Sequence, residues 1–156
     1  MLTVLDLFSG IGGFSLGLER AGMETVAFCE QDKFCQQVLA RHWPDVPLYD
    51  DVRKLTGETI RNDFGTIDLI CGGFPCQPYS VAGKQRGAED DRDLWPEMCR
   101  LVSDVRPRWV LGENVLGLAD LPLGLDRVLS DLEALGYETA PPFEIPACAV
   151  DAPQKR

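Results

Sequence analysis

The sequence predicts an α/β fold built on a doubly wound, mostly parallel sheet. Two observations carry that expectation: apolar runs of strand length alternate with segments of helical period, and Gly, Pro, Asp or Asn marks each switch. A third supports a single packed core, since the 156 residues are 45% apolar and 26% charged, the balance of an ordinary folded domain.

Thr3 to Phe8 reads as a first buried strand, followed by glycines and a helix carrying Phe14, Leu16 and Leu18 that ends near Gly22. Thr25 to Glu30 is the second strand. Asp32 is placed to cap a helix that runs to about Trp43, where Pro44 stops it. Leu48 and Tyr49 give a short third strand, and Ile67 to Cys71 a fourth that ends abruptly at Gly72-Gly73. A helix from Trp95 to Val105 and a fifth strand, Trp109 to Leu111, come next. Leu125, Val128, Leu129 and Leu132 share a helical face over Leu125 to Leu135, closed by Gly136. Tyr137 to Ile145 reads as a sixth strand that Pro141-Pro142 interrupts. No repeat or interdomain linker divides the chain, so residues 1–156 are one domain.

With 15 Lys and Arg against 25 Asp and Glu, the net charge is −10. A protein that binds nucleic acid tightly through its whole surface needs the opposite sign, so any phosphate contact here is local. No apolar run is long enough to span a membrane, and the N-terminus has no basic segment ahead of an apolar one, so an intracellular setting without membrane contact is expected. Six cysteines form no CxxC pair, and reduced thiols are expected. No metal site is expected.

Three segments carry chemistry. Asp6-Leu7-Phe8-Ser9-Gly10-Ile11-Gly12-Gly13 falls where a first strand turns into a first helix, and its glycines let the backbone approach a nucleotide-like ligand. Glu30, at the end of the next strand, suits ribose hydroxyls. A dinucleotide fingerprint would need a glycine at position 15, which is Ser15, and this disfavours a nicotinamide cofactor. A glycine-rich turn without a ligand is the bland alternative.

Gly72-Gly73-Phe74-Pro75-Cys76-Gln77-Pro78-Tyr79-Ser80 follows the fourth strand, at the carboxyl edge where open α/β sheets place ligands. Flanking prolines hold the Cys76 thiol outside regular structure, which favours a reactive sulfur over an inert one. Cys29, Cys35, Cys71, Cys99 and Cys148 lack such a context and read as inert. Gly112-Glu113-Asn114-Val115 ends the fifth strand on the same rim. A carboxyl group beside a thiol suits proton donation if burial favours its protonated form; a solvated strand end is the alternative.

In content and order these segments resemble the first, fourth and sixth signature blocks of DNA cytosine-5 methyltransferases. The resemblance implies a Rossmann-like, S-adenosylmethionine-dependent methyltransferase fold. It places Phe8, Gly10 and Gly12 in the cofactor loop, Glu30 at the ribose, Asp51 and Val52 at the adenine, and Leu94 as a further cofactor contact. It makes Cys76 the nucleophile that adds to C6 of cytosine, so that C5 gains the electron density needed to accept a methyl group. Glu113 would hydrogen-bond or protonate ring N3, and Asn114 would hold the turn. The target base would swing out of the DNA helix to reach them. Ser80 to Asp93 resembles the loop that closes over DNA, so Pro75, Gln77, Ser80, Lys84, Arg86 and Arg92 are the expected substrate contacts.

Gln154-Lys155-Arg156 resembles the start of the family's eighth block, Q-x-R-x-R, which makes Arg156 a further catalytic-site residue. On this resemblance the fold is incomplete at the C-terminus, lacking a seventh strand and the target-recognition domain. The fifth strand then keeps an open edge, and self-association or a complementing C-terminal polypeptide is expected, with DNA bound only weakly. Readings that stay open are a catalytically inactive cofactor-binding or subunit module of the same fold, a tRNA methyltransferase, and, more distantly, a nicotinamide oxidoreductase.

Overall fold

The computed structural model describes residues 1–75, 93–115, 118 and 124–150. Five strands, β1 (Thr3–Leu7), β2 (Glu24–Cys29), β3 (Leu48–Tyr49), β4 (Leu69–Gly72) and β5 (Trp109–Gly112), form one sheet in the order β3-β2-β1-β4-β5. Every pairing is parallel. From β1 the chain winds outward through β2 and β3, then returns to place β4 and β5 on β1's other side. The strand order therefore reverses between β1 and β4, and the crevice beyond their carboxyl ends is where such sheets receive ligands.

Among the described residues four helices connect the strands, α1 (Gly13–Arg20), α2 (Lys33–His42), α3 (Gly57–Phe64) and α4 (Trp95–Val105), and α5 (Gly124–Ala134) follows β5. Alternation along the strands separates two faces. Leu5 and Leu7 of β1, Ala27 of β2 and Ile70 of β4 join Ile60 of α3 and Met98, Leu101 and Val102 of α4 in the main core, with Val128 and Leu132 of α5 packed against it. On the opposite face Val4, Leu69 and Cys71 meet Phe14 and Leu18 of α1. Burying each such side chain contributes about 1.5–3 kcal/mol, so the sheet is held by both layers.

The local signals behave as expected. Asp32 caps α2, its carboxylate accepting from the Cys35 N–H at 2.9 Å. Trp95 and Pro96 open α4, where a missing N–H costs nothing. The sequence analysis did not anticipate α3. Its signal was there: Thr56 accepts from the Thr59 N–H at 3.1 Å, Glu58 lies in the first turn and Gly65 follows the last residue.

The expected sixth strand is not formed. Residues 137–146 are irregular, because two consecutive prolines remove the ladder donors a strand needs, and Phe143 and Ile145 are exposed. Tyr137 is nonetheless anchored, donating its hydroxyl to the Pro107 carbonyl at 2.8 Å. Trp109 and Leu111 pair in register with Leu69 and Cys71, so they lie on the α1 face of the sheet. There they are 61% and 40% exposed, an apolar strip that α1 does not reach. Among the described residues β5 is an edge strand, as expected, and no helix is long and apolar enough to cross a membrane.

Candidate functional site

Two loops line the crevice. The first follows β1 and turns through three left-handed residues: Phe8 at φ 53°, Gly10 at φ 54° and Gly12 at φ 87°. For Phe8, which has a side chain, this conformation costs on the order of 1–3 kcal/mol and is held by its surroundings. Ser9 fixes the turn, donating its hydroxyl to the Asp6 carbonyl at 2.7 Å and accepting the Gly12 N–H at its own carbonyl at 2.8 Å. Gly12 also has no room for a side chain. A Cβ there would lie 2.5 Å from the Trp43 ring.

Glu30 joins this loop to α2. One carboxylate oxygen accepts from the Gly10 N–H at 2.8 Å, the other from the Asp32 N–H at 2.7 Å. The Gln36 side chain donates to the Glu30 carbonyl at 2.6 Å. Each carboxylate oxygen therefore keeps acceptor capacity for a further donor.

A cavity of ≈ 180 Å³ opens beside Glu30, walled by Phe8, Cys29, Gln31, Val52, Gly73, Pro75 and Leu94. Four of the residues expected to hold a cofactor, Phe8, Glu30, Val52 and Leu94, thus meet around one space although β1, β2, the β3–α3 loop and the start of α4 supply them separately. An acid with free acceptor capacity facing apolar walls suits a nucleoside, whose sugar hydroxyls donate and whose base is flat and largely apolar. S-adenosylmethionine has these parts, so the residues present fit it. Gly10 and Gly12 shape the loop and do not line the space. Asp51 lies beside it, accepting from the Arg53 N–H at 3.0 Å and paired with the Arg53 guanidinium at 3.3 Å.

The second loop follows β4. Gly73 lies against Glu113, where an added Cβ would stand 2.9 Å from a carboxylate oxygen. Asn114 donates its side-chain amide to the Phe74 carbonyl at 2.9 Å and accepts the Val115 N–H at 2.9 Å. The tips of β4 and β5 are tied together in this way, and the Phe74 ring packs on Trp95 with centroids 5.1 Å apart. Pro75, expected from the sequence as a substrate contact, lines this cavity together with the residues expected to hold the cofactor. Glu113 is exposed, so the burial that proton donation asks for is not supplied by the described residues. Cys76, Gln77, Ser80, Lys84, Arg86, Arg92 and Arg156 lie outside the described residues.

Cys29 and Cys71, two of the thiols read as inert, are buried. Cys29, Cys35, Cys71, Cys99 and Cys148 are free. Burial pushes the Cys29 thiol up to about 12 and Cys71 further, so neither is a thiolate at neutral pH. Ser15, at the position of the missing third glycine, is buried and donates its hydroxyl to Asp6 at 2.6 Å. Among the described residues no cluster of His, Cys, Asp and Glu could hold a metal.

Sequence reasoning missed Gln31 and Gly73 in the wall, as well as Trp43 and Arg100 behind it. Gln31 had a signal, since it follows the ribose-type acid directly. Trp43 and Arg100 had none, because the contacts that matter join segments distant in sequence.

The chain is similar to a type II methyltransferase, M.PspPI of Psychrobacter sp., with 40% identity across 99% of this chain and 37% of that protein. M.HhaI of Haemophilus parahaemolyticus, also a type II methyltransferase, is 37% identical over 87% of this chain and 41% of its own length. Among solved structures, a DNA modification methyltransferase encoded within an E. coli prophage superposes with a TM-score of 0.72 and 33% identity, covering 86% of this chain and 38% of that one. Spodoptera frugiperda DNMT2, at 24% identity, shares the fold with a TM-score of 0.70 over 86% of this chain and 41% of its own. The chain thus spans well under half the length of these relatives. A family profile described as C-5 cytosine-specific DNA methylase matches residues 2–156, and the chain belongs to that family.

Proposed function

We propose that this chain is the cofactor-binding and nucleophile-bearing part of an enzyme that methylates C5 of cytosine in DNA, with S-adenosylmethionine as the donor. The observation that carries this reading is the cavity at the strand-order reversal, where Glu30, Phe8, Val52 and Leu94 converge beside Pro75, the residue preceding Cys76. When bound, the cofactor supplies an electrophilic methyl group on a sulfonium.

The residues of the chain do the rest. Glu30 accepts from ribose hydroxyls, and its two backbone anchors fix its direction. Val52 and Leu94 take the faces of the base, with Asp51 at its edge and Phe8, Gly10 and Gly12 shaping the floor. Cys76 adds to C6 of a flipped-out cytosine, which makes C5 nucleophilic. Glu113 hydrogen-bonds ring N3 as negative charge builds there, once a partner or the DNA excludes water from it. Asn114 holds the nucleophile loop through the Phe74 carbonyl. Pro75, Gln77, Ser80, Lys84, Arg86 and Arg92 contact the DNA, and Arg156 contributes near the reacting base.

The remainder of the relatives' length belongs with this reading. Relatives are more than twice as long, and the apolar strip of Trp109 and Leu111 on β5 is what further chain would cover. In this reading the part of the relatives beyond the matched length covers that edge and brings DNA recognition. A chain of residues 1–156 by itself would then self-associate through the strip and bind DNA weakly.

The test mixes the chain, with and without a C-terminal part from a type II relative, with S-adenosylmethionine and random-sequence DNA containing 5-fluorocytosine. A covalent adduct that Cys76→Ser abolishes is expected. Binding of S-adenosylhomocysteine without an adduct in either mixture would instead support a cofactor-binding module, and the absence of both would overturn the proposal.

A further inference from the structure

Arg100 lies on α4, outside the cavity wall, yet its guanidinium reaches the wall from behind. One terminal nitrogen donates to the Val52 carbonyl at 2.9 Å and to the Leu55 carbonyl at 3.0 Å. Glu97 holds the same edge of the group, one carboxylate oxygen lying 2.8 Å from the Arg100 Nε and 2.7 Å from that terminal nitrogen. Asp104, one turn further along α4, stands 3.7 Å from the group. The carboxylates balance the cation's charge and fix its plane, which keeps one terminal nitrogen on the two carbonyls of the β3–α3 loop.

Two further contacts show that this loop is built against α4. Gly57 meets Asp104 so closely that a Cβ on the glycine would lie 2.4 Å from the Asp104 Cβ. Arg61 of α3 donates to the Asp104 carbonyl. Between these staples and β3 the chain turns through residues 51–56, and Val52 faces the cavity from that turn. Leu94, in the same wall, is the residue from which α4 starts. One helix therefore carries one wall residue by covalent continuity and holds another through a side-chain clamp.

We propose that Arg100 is a positioning residue for the cofactor: by clamping the Val52 and Leu55 carbonyls to α4, it sets the separation of the Val52 and Leu94 walls. This rests on the assignment of the cavity to S-adenosylmethionine. Loss of the clamp lets the turn relax outward, and a flat base then loses contact on one face. Lysine keeps the charge but lacks the Nε contact with Glu97 that fixes the guanidinium plane, so it reaches at most part of the arrangement.

The experiment compares wild type, Arg100→Ala, Arg100→Lys and Arg61→Ala, the last removing an α3–α4 staple that does not touch the two carbonyls. S-adenosylhomocysteine affinity is measured by calorimetry on protein shown folded by circular dichroism, and amide exchange is followed over residues 50–57 without ligand. Expected are a Kd raised about tenfold by Arg100→Ala and about threefold by Arg100→Lys, with faster exchange in both, the size set by loss of charge-assisted hydrogen bonds. Arg61→Ala should leave affinity unchanged. If Arg100→Ala does not fold, Arg100→Lys decides, and wild-type affinity and exchange in that variant overturn the proposal. Wild type that binds no S-adenosylhomocysteine would overturn the functional reading instead, while the exchange comparison still tests the clamp.

Discussion

Asp6→Asn isolates one energetic cost in the fold. Asp6 is fully buried on the α1 face of β1, with one carboxylate oxygen accepting from Ser15 at 2.6 Å and the other without a partner. Burial pushes its carboxyl up from 3.8 to about 6, against the opposing effect of the Ser15 and Cys71 hydrogen bonds. The native state then binds the proton more tightly than the unfolded chain, so this group's contribution to stability is complete below about pH 4. It is lost as pH rises to about 6. A difference of about two pH units corresponds to roughly 3 kcal/mol of stability forgone at neutral pH.

Asparagine is nearly isosteric, keeps an acceptor for Ser15 and never ionises. Urea unfolding of both proteins, followed by tryptophan fluorescence from about pH 4 to about pH 7.5, gives a stability difference in which all other titrations cancel. Asp6→Asn should gain roughly 3 kcal/mol over wild type across that range, with the change concentrated between pH 4 and 6. A difference that does not vary with pH, or one that moves in wild type's favour as pH rises, would refute the argument that burial makes the folded chain hold the Asp6 proton more tightly than the unfolded chain.

Three other outcomes are expected. Gly12→Ala should destabilise the chain by about 2 kcal/mol or more and weaken S-adenosylhomocysteine binding, since the new methyl group meets the Trp43 ring and the backbone is left-handed; denaturant melts and calorimetry check it. Asn114→Ala should cost about 1–2 kcal/mol by freeing the Phe74 carbonyl and should suppress the 5-fluorocytosine adduct while leaving cofactor affinity intact. Changing Trp109 and Leu111 together to serine should lower the average mass of the isolated chain in sedimentation without shifting its circular dichroism, because both side chains are already exposed.

Much of this was legible in the sequence because the signals were local. Asp32 capped its helix where expected, Gly72 ended β4, and the glycines after β1 took the left-handed conformations that only a turn of this kind requires. The convergence of Phe8, Glu30, Val52 and Leu94 followed from a fold that brings strand ends together. What sequence reasoning lost depended on other things. α3 is short and only modestly apolar, so its period was weak and its capping threonine went unnoticed. Tyr137 to Ile145 has strand-like residues, but Pro141-Pro142 withholds the donors, and among the described residues no strand pairs with it. Arg100 and Trp43 act across 45 or more and about 30 residues of chain, respectively, distances at which pattern carries no information.

The double anchoring of Glu30 has a consequence for how fast and how selectively a guest is recognised. Its carboxylate is immobilised as the chain folds, so under the proposed function a sugar arriving at the crevice would meet oxygens already held in place and would freeze no rotor on contact. Shortening the side chain by a single methylene, as aspartate would, lets go of the glycine loop and the α2 start at once. Geometry at this corner is thus all-or-nothing, and under the proposed function a ligand without paired hydroxyls would find no looser arrangement to settle for.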